Sequence, residues 1–337
     1  MSTFVDAKLM HWLELSDLSW GDLLLGNGFS INIHEGFRYD KLKDVACLDV
    51  IDVPLNSSSK SLFKNYDTSN FEDVLRALYH ALNVNSCLNL GKEAELIGGY
   101  DNVRNALASA VNYSHVPEGM SVAGLIKSHF RSFNRIFTTN YDLIPYWSIN
   151  SLGSGSFKDF MWGEGFDSSD AKKIWGNSTC LYFMHGGLHL VEDQYGFTTK
   201  RRSTGFGSLR ELFDISNPEL FPLMITEGHW SKKLAKIKRN EYLSFCFSAF
   251  TESSSNLLVL GHSLHADYDK HIVEAVAESP RKHIAISVWP GMRPEEIVSF
   301  KARINESISA FTKFVYYFDS TTHPLTSADM KNVPAFL

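Results

Sequence analysis

Short apolar segments recur along the chain, and small or polar residues follow each of them. These segments cover residues 22–25, 135–137, 180–184, 257–260, 284–288 and 314–318. Strands that are buried on both faces of a sheet form continuous apolar runs, whereas half-exposed strands alternate apolar and polar residues. The pattern therefore predicts the buried strands of a mostly parallel sheet.

Between these segments, hydrophobic residues recur with the period of a helix. In the sequence TSNFEDVLRALYHAL, at residues 68–82, they fall on one helical face, and Thr68, Ser69 or Asn70 can cap the helix. Similar amphipathic patterns predict helices over residues 121–133, 231–250, 270–278 and 294–311. Because strands and helices alternate, the predicted fold class is α/β.

Two segments interrupt this alternation. Residues 55–70, LNSSSKSLFKNYDTSN, are polar and rich in serine, which predicts a loop. Residues 149–177 are dense in Gly, Ser, Asp and aromatic side chains, which predicts an irregular insertion. We therefore expect a single domain over residues 1–337, with a helical insertion at 41–123 and an irregular and helical cap at 146–249.

Composition is that of a globular chain without a strong charge. The 337 residues are 44% hydrophobic, which is enough to form a sizeable core, and the formal net charge is -6. A negative chain does not attract phosphate backbones or anionic membrane surfaces, so neither nucleic acid nor membrane is an expected partner. The basic sequence SKKLAKIKRN, at residues 231–240, is interpreted as the solvated face of a helix.

The positions of the cysteines indicate whether the chain binds a structural metal, and its hydropathy indicates the cellular compartment. Cys47, Cys87, Cys180 and Cys246 lie far apart, and no pair has the spacing that binds zinc. We therefore expect no structural metal. The first residues lack the pattern of a signal peptide, and the apolar segments are too short to span a bilayer, which predicts a cytoplasmic protein.

Two glycines follow the first predicted strand, in the sequence GNGFS at residues 26–30. Backbone N–H groups of such a turn can bind a pyrophosphate at the start of the next helix, because glycine lets the phosphate approach closely. The motif is shorter than the full G-x-G-x-x-G pattern. The alternative interpretation is a tight turn between two core elements.

Polar side chains end the second predicted strand, in the sequence RIFTTNYD at residues 135–142. Thr138, Thr139, Asn140 and Asp142 would lie at the carboxyl edge of the sheet, where open α/β sheets bind ligands. The alternative is a capping turn, in which Asn140 or Asp142 accepts hydrogen bonds from backbone N–H groups.

A histidine and two glycines follow the third predicted strand, in the sequence CLYFMHGGLHL. His185 has a side chain that exchanges protons near neutral pH, and Gly186 and Gly187 leave room for a substrate beside it. The alternative is a hydrogen-bonded histidine of the core. His189 fits that alternative better.

The sequence NLLVLGHSLHADYDKHI contains a fourth candidate turn after a strand. A capped turn is the simplest interpretation. A second interpretation is a nucleophile elbow with Ser263 as nucleophile and the His185-Gly186-Gly187 segment as an oxyanion loop. However, His265 stands where the elbow requires its second glycine, and a hydrolase leaves GNGFS and TTNYD unexplained.

In this order along the chain, GNGFS, TTNYD, HGG and GHS resemble the signature motifs of the sirtuin family, which has a Rossmann-like fold. The sequences NFEDVLRAL and GHSLHADYDKHI are similar in particular to bacterial sirtuin-like proteins. The resemblance spans about residues 23–288. It implies a mostly parallel sheet of the sirtuin type with helical insertions, and a site that binds NAD.

The resemblance also implies roles for individual residues. Asn140 would orient the nicotinamide ribose and a water molecule, and His185 would act as the base. The other candidates would bind NAD or support the loops around it: Gly26, Asn27, Gly28, Phe29, Ser30, Thr138, Thr139, Asp142, Gly186, Gly261, His262, Ser263 and Asp269.

One departure from the family changes the expected activity. Sirtuin deacylases carry a four-cysteine zinc module after the His-Gly motif, whereas only Cys246 follows His185 here. The resemblance therefore implies a zinc-less NAD+ hydrolase of antiphage defence, which releases nicotinamide and ADP-ribose. The alternatives are a catalytically silent sensor that binds NAD or ADP-ribose within a defence complex, and the serine hydrolase that uses Ser263.

An NAD+ hydrolase without regulation would harm its own cell, so control is expected. We expect it to come from homo-oligomer formation, a partner defence protein or a nucleotide activator. The aromatic residues of the cap are candidates for a lid or an interface, or for a subdomain that packs only on its own core. They are Trp147, Phe157, Phe160, Trp162 and Trp175.

Overall fold

The computed structural model describes residues 5–117, 119–151, 155–161, 165–171, 178–201, 221–308 and 313–331. Trp162 and Trp175 of the predicted lid lie outside these residues, whereas Trp147 and Phe160 are buried in the core. Within the described ranges, every helix is too short or too polar to traverse a bilayer.

The described residues contain ten strands, which form two separate sheets. In chain order they are β1 (Asp22–Leu25), β2 (Arg135–Thr138), β3 (Phe157–Lys158), β4 (Thr179–Phe183), β5 (Gly186–Glu192), β6 (Thr198–Lys200), β7 (Pro222–Met224), β8 (Leu257–Leu260), β9 (His283–Val288) and β10 (Phe314–Asp319). Strands β1–β4 and β8–β10 form the larger sheet, so all six predicted segments are confirmed as its strands.

The larger sheet is parallel, with the order β3-β4-β2-β1-β8-β9-β10. Without the short edge strand β3, the chain runs from the central β1 outward through β2 and β4, and then returns to β8 on the other side of β1. This is the strand order of the Rossmann fold, with its reversal point between β1 and β8. The predicted α/β, Rossmann-like architecture is confirmed.

The central strands of the sheet lie inside the molecule. Every residue of β1 and of β8 is buried, including Asp22, the first residue of β1. Burial on both faces explains why these strands consist of consecutive apolar residues.

Helices surround the sheet and extend from it. In chain order they are α1 (Asn27–Ile33), α2 (Tyr39–Ala46), α3 (Ser57–Asn65), α4 (Phe71–Leu88), α5 (Glu93–Tyr113), α6 (Ala123–Phe130), α7 (Ile144–Asn150), α8 (Ser168–Ala171), α9 (Trp230–Arg239), α10 (Glu241–Thr251), α11 (Ala266–Glu278) and α12 (Pro294–Ile308). Helices α2 to α5 make up most of the predicted insertion at 41–123.

Two of the predicted elements differ from the structure. The predicted loop at 55–70 is wrong, because α3 forms within it: the Asn56 side chain accepts a hydrogen bond from the Ser59 N–H at 2.8 Å, and Phe63 packs into the core. The single helix predicted at 231–250 is two helices. Asn240 ends α9, and its side chain caps α10 by accepting from the Leu243 N–H at 2.9 Å.

The second sheet was not predicted. Strands β5, β6 and β7 form a three-stranded antiparallel sheet, in the order β6-β5-β7. Gly186, at the start of β5, has a φ of +75°, and a Cβ there would lie 1.9 Å from the Leu223 oxygen of β7. The glycine after His185 is therefore required by strand pairing. Strands β3 and β4, which also lie within the predicted cap at 146–249, belong to the larger sheet instead.

Candidate functional site

A cavity of about 300 Å³ lies at the carboxyl ends of β1, β2 and β8, beside the reversal point of the sheet. Ligands bind at this position in open α/β sheets, and the volume is at the lower end for pockets that enclose small organic molecules. Helices α2, α4 and α5 contribute an apolar wall that includes Leu42, Phe71, Leu75, Leu107 and Val111. The helical insertion thus covers the site.

Most of the predicted site residues meet at this cavity. Those that line it are Asn27, Gly28, Thr139, Asn140, Asp142, His185, Gly261, His262, Ser263 and Asp269. Those that do not are Gly26, Phe29, Ser30, Thr138 and Gly186. Phe29 is a core residue, fully buried with its ring 6.2 Å from that of Phe130, so its side chain does not contact a ligand in the cavity.

The glycines after β1 and β8 pack against each other. A Cβ on Gly26 would lie 2.5 Å from the His262 Cα, and a Cβ on Gly28 would lie 2.8 Å from the Gly261 Cα. Gly261 has a φ of +68°, and its Cβ would lie 2.2 Å from the backbone N of Phe29. Contact between the two turns therefore accounts for all three glycines without a ligand.

The backbone donors of these turns already have acceptors. The Gly28 N–H donates to the Gly261 oxygen at 2.9 Å, and the Phe29 N–H donates to the Gly26 oxygen at 3.0 Å. The Gly261 N–H donates to the Ser287 hydroxyl at 3.0 Å. The predicted phosphate-binding turn therefore does not have these three donors available.

Asn140 lies at the centre of a buried hydrogen-bond network. Its Nδ2 donates to the Gly26 oxygen at 3.0 Å and to the Ser30 hydroxyl at 2.9 Å, and its backbone N–H donates to the Thr138 hydroxyl at 3.1 Å. These acceptors fix the orientation of the amide. Within the described part of the chain, Asn140 Oδ1 has no hydrogen-bond partner, so Asn140 offers the cavity an acceptor.

Asp142 holds the other side of this network. Its carboxylate accepts from the Ser30 hydroxyl at 2.6 Å and from the Ile144 N–H at 3.0 Å. Burial raises the pKa of Asp142 to about 6, although both hydrogen bonds oppose this shift. Asp142 thus contacts Ser30, which in turn accepts a hydrogen bond from Asn140.

His185 enters the cavity from the end of β4 and contacts a second histidine. Its Nε2 lies 2.9 Å from Nε2 of His271 on α11, which is outside the cavity lining. Burial lowers the pKa of His185 well below its ordinary value, although the negative charge of Asp269 opposes this shift. Burial also lowers the pKa of His271, to about 4. Both imidazoles are therefore neutral near pH 7.

Three charged groups lie next to the histidine pair: Lys233 is buried, and Glu72 and Asp269 are partly buried. The Lys233 ammonium is 2.6 Å from Glu72 and 3.1 Å from Asp269, and Lys233 is only 1% exposed. The other oxygen of Asp269 is 3.7 Å from Nε2 of His262. Burial raises the pKa of Asp269, but the positive charge of Lys233, joined in acid by the charges of the protonated neighbouring histidines, outweighs it and holds that pKa below the ordinary value. Glu72, whose pKa burial raises, also lines the cavity.

Glu72, Lys233 and His271 were not among the predicted site residues. The interpretation of residues 231–240 as a solvated helix face is wrong for Lys233, which lies on the buried face of α9 with Ile237. The spacing of four residues between them is the one signal in the sequence that indicates a shared face. Glu72 and His271 are single polar residues of amphipathic helices, and nothing in their spacing marks them.

A family model described as a domain of unknown function, DUF4917, matches residues 23–325. This match extends from β1 through β10. The chain belongs to the DUF4917 family. All four motifs and every residue of the cavity lie inside the matched range. No curated protein shows a significant match to the chain.

The DUF4917 domain contains one group that has the composition of a metal site among its described residues. Ligand atoms of His185, Asp269 and His271 lie within 4.8 Å of one another, and none of the four cysteines belongs to the group. The Lys233 ammonium is bonded to the carboxylate of this group, so a positive charge already occupies one side of it. The expected absence of a metal stays a prediction.

The geometry around Ser263 does not favour a nucleophile in this DUF4917 domain. Ser263 is exposed, and its hydroxyl forms no hydrogen bond to a histidine within the described ranges. Positive φ values fall on Gly261 and Leu264, at 68° and 47°, and not on Ser263. The Arg303 guanidinium donates to the backbone oxygens of Ser263 and Leu264, which fixes the turn without activating the hydroxyl.

Proposed function

We propose that the protein is an NAD+ hydrolase that cleaves the bond between nicotinamide and ribose. The observation that carries this proposal is that Asn140 and His185, which follow the neighbouring strands β2 and β4, line one cavity at the reversal point of a Rossmann-like sheet. The resemblance of the four motifs to sirtuins supports NAD as the substrate. The volume of about 300 Å³ suits the nicotinamide and its ribose, with the rest of NAD toward the opening.

The proposed reaction is a hydrolysis by water. The bond between C1′ and the pyridinium nitrogen breaks, and its electron pair neutralises the nicotinamide that leaves. Water then adds to C1′ and loses a proton, which gives ADP-ribose. Cleavage of this kind passes through an oxocarbenium-like state, in which positive charge develops on the sugar.

The charges around the cavity suit such a transition state. Glu72, Asp142 and Asp269 line it, and among the described residues no lysine or arginine does. The Lys233 ammonium pairs with Glu72 and Asp269 from outside the lining, but three carboxylates against one ammonium leave the surroundings of the cavity negative. Carboxylates that are already in position stabilise positive charge that develops in a site with little water. The free acceptor of Asn140 can hold a water molecule or a ribose hydroxyl, because each of these donates a hydrogen bond.

Nicotinamide release from NAD+ by the purified full-length chain tests the proposal. The assay is run with and without candidate nucleotides, since the activity is expected to be regulated. We expect Asn140→Ala and His185→Ala to lower the rate by about 10²- to 10⁴-fold. Asn150→Ala and His80→Ala, which change exposed residues of the same types, are the matched controls and should retain the rate.

The alternative functions give different results in the same experiment. A sensor would bind NAD or ADP-ribose in calorimetry without any release of nicotinamide. A serine hydrolase would cleave a model ester and lose that activity in Ser263→Ala. Either result would refute the proposal, whereas Ser263→Ala should only weaken NAD binding if it holds.

A role in antiphage defence is the proposed context of this activity. The bacterial sirtuin-like resemblance supports an effector that destroys NAD when a partner, a nucleotide or self-association activates it. Cells that express the chain should lose NAD after phage challenge, and cells with Asn140→Ala should not. A constant NAD pool during infection would contradict this role without bearing on the chemistry.

A further inference from the structure

The contact between His185 and His271 constrains where each ring carries its proton. The two Nε2 atoms are 2.9 Å apart, which is a hydrogen-bond distance, and both rings are neutral near pH 7. Two neutral imidazoles form this bond only if one Nε2 carries a proton and the other does not. One of the two histidines must therefore be the donor.

The second nitrogen of His271 indicates which histidine donates. His271 Nδ1 is buried and has no hydrogen-bond partner in the described part of the chain. If His185 donated, His271 would carry its own proton on Nδ1 and would bury an N–H without an acceptor. If His271 donates, Nδ1 is only an unused lone pair. Buried N–H groups without an acceptor are rarer in proteins than acceptors without a donor.

We propose that His271 donates its Nε2–H to His185 and thereby keeps the His185 proton on Nδ1, so that His185 presents a hydrogen-bond donor to the cavity. His271 is then a positioning residue that sets the tautomer of His185. The inferred tautomer differs from the basic role that the sirtuin resemblance implies, because the Nδ1 lone pair is not free to take a proton.

His185 and Asn140 then offer complementary groups. His185 Nδ1, which has no partner among the described residues, supplies a donor, and Asn140 Oδ1 supplies an acceptor. A hydroxyl group accepts and donates at once, so this pair matches a sugar diol or a hydroxyl with its neighbouring water. This part of the inference rests on the proposed function, whereas the tautomer does not.

A metal ion between the two rings is the competing explanation of the short distance. A divalent ion would require lone pairs on both Nε2 atoms. The Lys233 ammonium, 3.1 Å from Asp269, places a positive charge beside the third potential ligand, which disfavours a second cation. A metal is therefore an outcome that the experiment must detect.

The tautomer can be measured without any enzymatic activity. The full chain is labelled with 15N-histidine, and its 13 histidines are resolved by long-range 1H–15N spectra at pH 7.5. Difference spectra with His185→Asn and His271→Gln assign the two rings. We expect His185 to be protonated on Nδ1 and His271 on Nε2. The opposite tautomers, or one equivalent of zinc that shifts both Nε2 signals, would overturn the proposal.

Two amide substitutions test the donor in catalysis. The side-chain nitrogen of Asn occupies about the position of ring Nδ1, and that of Gln occupies about the position of Nε2. If His185 is a donor, His185→Asn should keep nicotinamide release within about 10-fold of the wild type, while His185→Gln falls to the level of His185→Ala. Equal loss in His185→Asn and His185→Ala would refute the donor role.

Substitutions of His271 test whether it acts through His185. His271→Gln keeps a donor near Nε2 and should preserve both the His185 tautomer and the rate. His271→Phe fills the space without a donor, so we expect mixed tautomers at His185 and about 10-fold slower release. An unchanged His185 spectrum in folded His271→Phe would overturn the positioning role. If no variant releases nicotinamide, the proposed reaction fails, but the spectra still decide the tautomer.

Discussion

Buried charges lie at both edges of the larger sheet, and their surroundings differ. At the amino edge, Arg281 and Asp22 form an ion pair at 2.9 Å, and both side chains are fully buried. At the carboxyl edge, Lys233 bridges Glu72 and Asp269, and both of these acids line the cavity. Arg281 and Asp22 do not line it.

The comparison distinguishes a buried charge pair that is enclosed by protein from charged groups that line a cavity. The Arg281 guanidinium also packs over the Phe250 ring at 4.6 Å, so its surroundings are closed by protein. A buried pair of this kind contributes little net stability, but either partner is costly to leave alone. Burial of charge therefore does not identify a site. Unpartnered polar atoms do not identify one either, because Asp22 Oδ1 and Arg281 Nε and Nη1 also lack hydrogen-bond partners within the described residues. What distinguishes the carboxyl edge is that its charged groups line a cavity.

We expect the largest change in stability at the amino edge, where protein encloses the ion pair of Arg281 and Asp22. Arg281→Met leaves the Asp22 carboxylate buried without a cation, so we expect a loss of about 4 kcal/mol in the free energy of unfolding. Urea unfolding measures the loss. Adding Asp22→Leu should recover part of it, and nicotinamide release per folded molecule should not change. A loss below about 1 kcal/mol would mean that this edge is also hydrated, and the comparison would fail.

The sequence predicts the strands of the parallel sheet, but it predicts neither the second sheet nor α3. The strands of the larger sheet are continuous apolar runs, because helices cover both faces. β5 begins with two glycines and mixes apolar and polar residues, and its pairing with β7 depends on contacts far away in the chain. α3 contains only Leu62 and Phe63 as large apolar residues, so tertiary packing and the Asn56 cap decide its structure.

In the site, too, residues marked by the local sequence were predicted, whereas residues that meet only through tertiary packing were not. Asn140 and His185 were predicted because each follows a buried strand, and strand ends converge by topology. Glu72 and Lys233 are 161 residues apart, so their pairing depends on how α4 and α9 pack. The glycines of GNGFS and GHS are conspicuous in the sequence, yet their mutual contact explains them.

Asp142 provides a further test of the comparison, because it is a carboxylate at the carboxyl edge of the sheet and has no cation beside it. Within the described ranges it forms no ion pair, and burial raises its pKa to about 6, against 3.8 ordinarily. The ionised form is disfavoured in the fold, so the folded state binds this proton more tightly than the unfolded state. Its stabilising contribution is therefore complete below pH 3.8 and is lost as the pH rises through about 6.

Asp142→Asn removes this pH dependence. Relative to the variant, the wild type should lose roughly 2.5 kcal/mol of unfolding free energy between pH 4 and pH 7. Chemical denaturation at several pH values measures the difference between the two proteins, which cancels the titration of other groups. A difference that stays constant, or that grows in favour of the wild type with rising pH, would contradict the assignment of an unpaired buried carboxylate.

At the carboxyl edge, Lys233→Met is the substitution that corresponds to Arg281→Met, because it also removes the cation of a charged group. It leaves Glu72 and Asp269 without their cation, but both acids line a cavity that water can enter. We therefore expect a smaller loss of stability, about 2 kcal/mol. Without the Lys233 charge, one of the two neighbouring acids takes up a proton, so one fewer ionised carboxylate lines the cavity and nicotinamide release should be at least 10-fold slower. Urea unfolding and the release assay measure the two effects. Equal destabilisation by the two substitutions, with the rate retained, would remove the distinction between the edges.

The substitution with the smallest expected effect tests whether the Gly261 N–H, in the turn after β8, is bonded to the protein or is available to a ligand. Ser287→Ala removes the acceptor of the Gly261 N–H, which should cost about 1 kcal/mol if that bond is structural. Ser307→Ala, which removes a donor to a helix carbonyl, is the matched control and should have almost no effect. If Ser287→Ala leaves stability unchanged and ADP-ribose then raises the melting temperature more than in the wild type, the Gly261 N–H faces the ligand. In that case, the glycine turns would bind phosphate after all.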